Sequence, residues 1–169
     1  MSDRDGLIAQ QIPRLRRYAR ALTGDRTAAD DLVQDTLERA WSRFHLWRRG
    51  SDLRAWLFTI MHNIHVNQVR SRARHRHEAL ETEPDAEALR GRDPDWLELR
   101  DLASALARVP EDQRAVLLLV GLEQFTYDEA ARILEIPIGT VMSRLSRGRE
   151  RLRILLGGDA NVTSLKVVK

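Results

Sequence analysis

The chain has 169 residues, 43% hydrophobic and 31% charged, with 28 lysines and arginines against 25 aspartates and glutamates. That length holds one domain or two small ones, and a net charge of only +3 makes the distribution of charge more informative than its sum. The lack of cysteine excludes disulfides and thiolate metal sites; with Asp3, Arg4 and Asp5 near the start and no segment apolar enough to span a membrane, a soluble, cytoplasmic chain without membrane insertion is expected.

From Leu7 to Leu22, Ile8, Ile12, Leu15, Ala19 and Leu22 recur at helical spacing, and Gly24 marks the stop. Thr27 and Asp30 form a capping-box pattern for a second helix, which turns Val33, Leu37, Ala40, Trp41 and Phe44 inward. Its outer face carries Asp31, Gln34, Asp35 and Glu38, a pattern that fits plain solvation or docking on a basic partner. The segment HLWRRGSD follows as a loop, with Ser51 or Asp52 placed to cap a third helix. That helix runs from Leu53 to about Arg76 on a stripe of Leu53, Leu57, Ile60 and Ile64.

Off the stripe lie Trp56, Asn63, Asn67 and Arg70. Tryptophan alone is more often core than a base-stacking group. Asparagines at helical spacing need hydrogen-bond partners if buried, and can otherwise sit at the surface or read base edges. The helix ends with Arg70, Arg72, Arg74 and Arg76, cations that repel one another unless an anion such as a nucleic-acid backbone is near. His62, His65, His75 and His77 lack the carboxylate or cysteine pattern that would complete a metal site, and no cofactor is expected.

From Glu78 to Asp95 the chain turns acidic, with Pro84 and Pro94 and few apolar groups, as expected of a flexible linker. The next helix opens at Asp95 and turns Leu99, Leu102, Ala103 and Leu106 inward, ending at Val109 and Pro110. PEDQRAVLLLVG then starts on Pro110 with an acidic first turn and a deeply apolar run, and Gly121 is its C-cap candidate.

The stretch from Phe125 to Leu156 predicts two helices around a sharp turn. Thr126 and Glu129 match a capping box, and Ala130, Ile133 and Leu134 form a short apolar face. Pro137 cannot continue the first helix but suits the start of the second. There Val141, Leu145, Leu152 and Leu156 make an apolar back, against a front of Thr140, Ser143, Arg144, Arg147 and Arg151. Such a front is either a solvated cationic face or a groove-reading surface, since arginine can grip phosphate or guanine and a helix fits the major groove. Two glycines then begin an expected mobile tail, 157–169; its sequon at Asn161 is read as coincidental.

Four segments in this order, DDLVQDTLERAW, RAWLFTIMHNIHVNQVRSR, VPEDQRAVLLLVGLEQFTYDEAARIL and IPIGTVMSRLSRGRERLR, resemble bacterial sigma factors of the extracytoplasmic-function group within the sigma-70 family. The resemblance implies an all-α chain of two small helical domains, 1–77 and 96–156, joined by the acidic linker 78–95, the second ending in a helix-turn-helix. It implies as partners core RNA polymerase (β′ clamp helices and β flap), promoter duplex, the melted non-template strand and an anti-sigma factor. Asp31, Gln34, Asp35 and Glu38 become candidates for docking on polymerase. Arg48, Arg49, Gly50, Ser51 and Asp52 match the loop that holds a flipped base, and Trp56, Asn63, Asn67 and Arg70 match the helix facing the melted minus-10 element. Thr140, Ser143, Arg144 and Arg147 match the reader of the minus-35 element, with Arg149 and Arg151 on phosphates.

Two residues depart from the family pattern. Glu135 stands where the turn usually has glycine, so a strained or differently shaped turn is expected, a non-glycine residue at φ > 0 being uncommon. Gly148 sits inside the reading helix, where it serves close approach to DNA or is merely tolerated at roughly 1 kcal/mol relative to alanine. The alternatives are a stand-alone helix-turn-helix regulator and a sigma-like decoy that binds an anti-sigma factor without initiating transcription. A stand-alone regulator has no need of the first unit's acidic face and arginine-rich helix. An enzyme is not expected, since no phosphate loop, nucleophile arrangement or paired catalytic carboxylates appear in the sequence.

Overall fold

The computed structural model describes residues 3–76 and 96–157, which form eight α-helices and two short helical turns with no strand among them. The linker at 78–95, the inward placement of Leu99 and the tail beyond Gly157 lie outside the described residues. The first unit comprises α1 (Asp3–Ala9), α2 (Ile12–Thr23), α3 (Arg26–Arg43), a 3-10 turn (Phe44–Leu46) and α4 (Leu53–Arg76).

The single helix expected from Leu7 to Leu22 is thus two. Pro13 lies in the first turn of α2, where its ring and missing N–H interrupt any helix arriving from upstream. Gly24 closes α2 in the left-handed region (φ 69°), as expected at a helix end. The cap of α3 also differs from expectation. Asp25, in extended conformation, accepts from the Ala28 N–H at 3.0 Å, so Thr27 and Asp30 already lie inside the helix. Asp52 plays the same part for α4, accepting from the Ala55 N–H at 3.2 Å.

In α4 the expected stripe is joined by Phe58, Met61 and His65, all buried. This helix packs on α3 along one side and on the second unit along another, so its covered surface is wider than one stripe.

The second unit comprises α5 (Trp96–Ala107), α6 (Glu111–Leu117), a π turn (Leu118–Leu122), α7 (Tyr127–Leu134) and α8 (Ile138–Leu155). The apolar run after Pro110 therefore does not end in a glycine cap at Gly121. It widens instead: the Glu123 N–H reaches the Leu118 carbonyl at 2.9 Å and the Phe125 N–H reaches Leu119 at 3.0 Å. Seven consecutive residues, Arg114 to Val120, are buried, because α2, α7 and α8 surround this segment on several sides.

The two units share one hydrophobic core. Phe58 of α4 meets Phe125 edge to face with ring centroids 5.2 Å apart, and Tyr18 of α2 meets Phe58 in the same way at 5.1 Å. Helix α4 lies against α7, and α2 lies against α5 and the π turn.

Candidate nucleic-acid interface

The turn between α7 and α8 is built from local chemistry. Thr126 and Glu129 form a reciprocal capping box, with the Glu129 N–H donating to the threonine hydroxyl at 3.1 Å. Glu135 takes the left-handed conformation (φ 54°, ψ 46°) that the turn demands. Its N–H donates to the Arg132 carbonyl and that of Ile136 to the Ala131 carbonyl, which closes α7, and extended Pro137 launches α8 in a new direction.

Val141, Leu145 and Leu152 form the buried back of α8, and Gly148 belongs with them. A Cβ at Gly148 would stand 3.0 Å from Cγ and Cδ1 of Leu117, so this glycine lets α6 and α8 approach closely. It faces the protein's own core and not an outside ligand.

On the front, Arg147 and Arg151 are exposed, whereas Thr140, Ser143, Arg144 and Arg149 are half-buried. The Ser143 hydroxyl donates to the Thr140 carbonyl at 3.2 Å, and Arg144 Nε lies 3.6 Å from the Asp112 carboxylate. Arg149 Nη2 is buried without a hydrogen-bond partner among the described residues. Three open apolar side chains on the same helix escaped the sequence reading: Ile138 and Met142 near its start and Ile154 near its end. The first two form an i, i+4 pair beside the core stripe, at the open N-terminal end of the helix.

In the first unit Asn63, Asn67 and Arg70 form an exposed row along α4, and Arg72 and Arg74 continue the cationic end. Trp56 is half-buried and meets Phe44 edge-on at 6.3 Å; Phe44 in turn lies 5.3 Å from Trp47. Between Trp47 and Trp56 in the chain lies the loop of Arg48, Arg49, Gly50, Ser51 and Asp52, all exposed. Both the N–H and the hydroxyl of Ser51 donate to the Arg48 carbonyl, and Gly50 takes the positive φ (90°) that the tight turn requires.

Asp31, Gln34, Asp35 and Glu38 are all exposed on α3, but the last three have different surroundings. Gln34 and Glu38 line a groove shared with Arg16, Arg20 and Arg26, whereas Asp35 accepts from the Gln68 amide of α4 at 3.2 Å.

The two units are held together by polar groups that periodicity does not signal. Arg17 Nε and Nη2 donate to the fully buried Glu123 carboxylate at 3.2 and 3.0 Å. Arg54 donates to the Glu123 carbonyl at 2.9 Å while its guanidinium covers the Phe125 ring at 4.1 Å. Arg114 donates to the carbonyls of Leu106, Ala107 and Val109 and, across the units, to that of Leu22 at 2.8 Å.

His62 and His65 of α4 belong to the same seam. His65 Nε2 meets Glu111 Oε2 at 2.7 Å. Burial alone would raise the Glu111 carboxyl, but the His65 hydrogen bond and the charges of His65, Arg114 and Arg72 outweigh it and hold the group below its ordinary range. His62 is pushed down to about 4, first by burial and then by the nearby His65 and Arg144.

Residues 8–62 match the family model described as the Sigma2 domain of PhyR, and residues 99–152 match Sigma-70, region 4. The chain is 39% identical over 163 residues to ECF RNA polymerase sigma factor EcfG of Rhodopseudomonas palustris, an alignment covering 92% of this chain and 86% of that protein. Among solved structures it resembles the sigma factor RpoE of Bartonella quintana in complex with the anti-sigma factor NepR. There the TM-score is 0.84 at 37% identity, covering 95% of this chain and all of the other. It also resembles PhyR in the PhyRSL–NepR complex from Sphingomonas sp. Fr1, with a TM-score of 0.62 at 27% identity, covering 99% and 94%.

Proposed function

The chain belongs to the ECF family of RNA polymerase sigma factors, and on that premise we propose how its two helical units divide the work of promoter-specific initiation. The second unit reads the minus-35 element through α8, with Thr140, Ser143, Arg144 and Arg147 nearest the bases and Arg149 and Arg151 on phosphates. In the first unit the Arg48–Asp52 loop and the row of Trp56, Asn63, Asn67 and Arg70 take the minus-10 element as it melts. Unstacking a base costs a few kcal/mol, which a pocket and backbone contacts must offset. Asp31, Gln34, Asp35 and Glu38 dock on the clamp helices of core polymerase, in a cytoplasmic complex. Chemistry belongs to the polymerase, and this chain supplies none of its own.

The observation that carries this reading is the presence in one chain of an open Asn63–Asn67–Arg70 row and a basic helix-turn-helix. A stand-alone regulator needs only the second. The half-burial of Thr140, Ser143 and Arg144 adds a step. Two promoter elements on one duplex must be met by two separated surfaces, yet here α4 lies against α7. We assign this joined arrangement to the chain off DNA, held closed by an anti-sigma partner, and expect the units to part on polymerase. The likeness to RpoE bound to NepR supports that assignment.

A second reading is favoured by one observation, the match of residues 8–62 to the PhyR model. On it, the chain is a decoy that occupies an anti-sigma factor without initiating transcription. Purified chain, core polymerase and a genomic promoter library separate the two. Start sites sharing two spaced elements support the sigma role. Core binding without specific initiation supports the decoy, and no core binding defeats the proposed docking.

A further inference from the structure

Few large hydrophobic side chains among the described residues are open to solvent: Leu46, Ile138, Met142 and Ile154. Ile138 and Met142, 39% and 47% exposed, stand one turn apart at the N-terminal end of α8, with Gly139 between them. Gly139 has helical backbone, so it does not use the conformational freedom of glycine. Nor does packing require it. A Cβ built at Gly139 meets nothing within 4 Å, whereas one at Gly148 would press on Leu117. Gly148 is therefore explained by the core, and Gly139 leaves open space on the helix surface beside the Ile138–Met142 pair.

The place of this open space defines what fits it. In a helix-turn-helix the N-terminal residues of the second helix meet base edges in the major groove. The apolar group displayed there is the thymine C5 methyl. We infer that Ile138, Gly139 and Met142 form a seat for a thymine methyl of the upstream promoter element, with Gly139 allowing the helix backbone to come close to the base edge. The inference rests on the reading of α8 as the minus-35 helix, and adds to the arginine and hydroxyl front a contact specific for A·T pairs.

The test uses holoenzyme assembled from the full chain and core polymerase, on synthetic promoters drawn from the start sites mapped above. Each thymidine of the upstream element, on either strand, is replaced by deoxyuridine, which removes only the methyl group. Wild-type binding should weaken by about 3- to 5-fold at one or two positions, as for one buried methyl group. Met142→Ala should bind thymidine and deoxyuridine duplexes equally, and Met142→Leu should restore part of the difference. Gly139→Ala should melt at the same or a higher temperature, alanine being the better helix former, yet bind the upstream element about tenfold more weakly than wild type.

An upstream element without A·T pairs overturns the inference. So does indifference to every deoxyuridine, or a Met142→Ala protein that still discriminates. Unimpaired binding by Gly139→Ala removes the glycine from the seat. A fully scrambled upstream element separates the two levels. If scrambling leaves wild-type binding intact, α8 does not read this element and the seat falls with it. If scrambling matters and deoxyuridine does not, only the methyl seat is wrong.

Discussion

At the scale of single residues, the two glycines of α8 show how one residue type answers to different neighbours. Gly148 lies on the back of the helix against Leu117, itself only 4% exposed. Gly148→Ala should therefore destabilise the fold by up to about 2 kcal/mol, overpacking outweighing the gain of about 1 kcal/mol in helix propensity. Urea unfolding measures this, and Leu117→Ala in the same chain should recover part of the loss. The sequence marked Gly148 as unusual but could not name the neighbour it meets, which is Leu117. Glu135 stood out in the sequence only as a departure from the usual glycine; its left-handed backbone (φ 54°, ψ 46°) is supplied by the structure. His62 carried no mark of its titration. Its pKa of about 4 comes from burial and from His65 and Arg144, the last on another helix of the second unit. The unfolded chain takes up a proton near pH 6.5 while the folded chain does not, so this contribution to stability is whole above about 6.5 and is lost as pH falls toward 4. The melting temperature of His62→Gln should fall less than that of wild type across this window.

At the scale of elements, local signals located most helices and mislocated their ends. Pro13 split the first helix, since a proline that starts one helix well also stops the one before it. The π turn at Leu118–Leu122 was invisible because periodicity carries no sign of a helix that is covered on several sides. Arg114 escaped notice altogether, although its guanidinium satisfies the last carbonyls of α5 and reaches α2. Arg114→Lys should lower stability by about 3 kcal/mol or more, as an ammonium cannot serve four carbonyls in different directions and unmatched buried acceptors cost about 1–3 kcal/mol each. Thermal denaturation checks this; a loss under 1 kcal/mol would mean that the carbonyls find other partners.

At the scale of the whole molecule, the joined units make an asymmetric ion pair decisive. Glu123 is fully buried and Arg17 about half exposed. Arg17→Ala strands a buried carboxylate, so it should destabilise the chain by about 3–5 kcal/mol. Glu123→Gln keeps an acceptor and leaves Arg17 free to hydrate, so its loss should be smaller. Equal losses in denaturant titrations would show that the pair contributes only through packing. The Arg17→Ala protein should also be more extended in small-angle scattering if this contact holds the units together.

The sequence by itself determined the all-α class, the helix-turn-helix with its capping box, and the exposed row on α4, because each depends on residues within a few turns of one another. Only the tertiary structure decided that both units share one core, that Arg144 and Ser143 are half-covered, that Gly148 serves packing, and that Gly139 has open space around it. Periodicity reports that a position is covered or open; what covers it depends on residues such as Phe58 and Phe125, distant in the chain and brought together only by the fold.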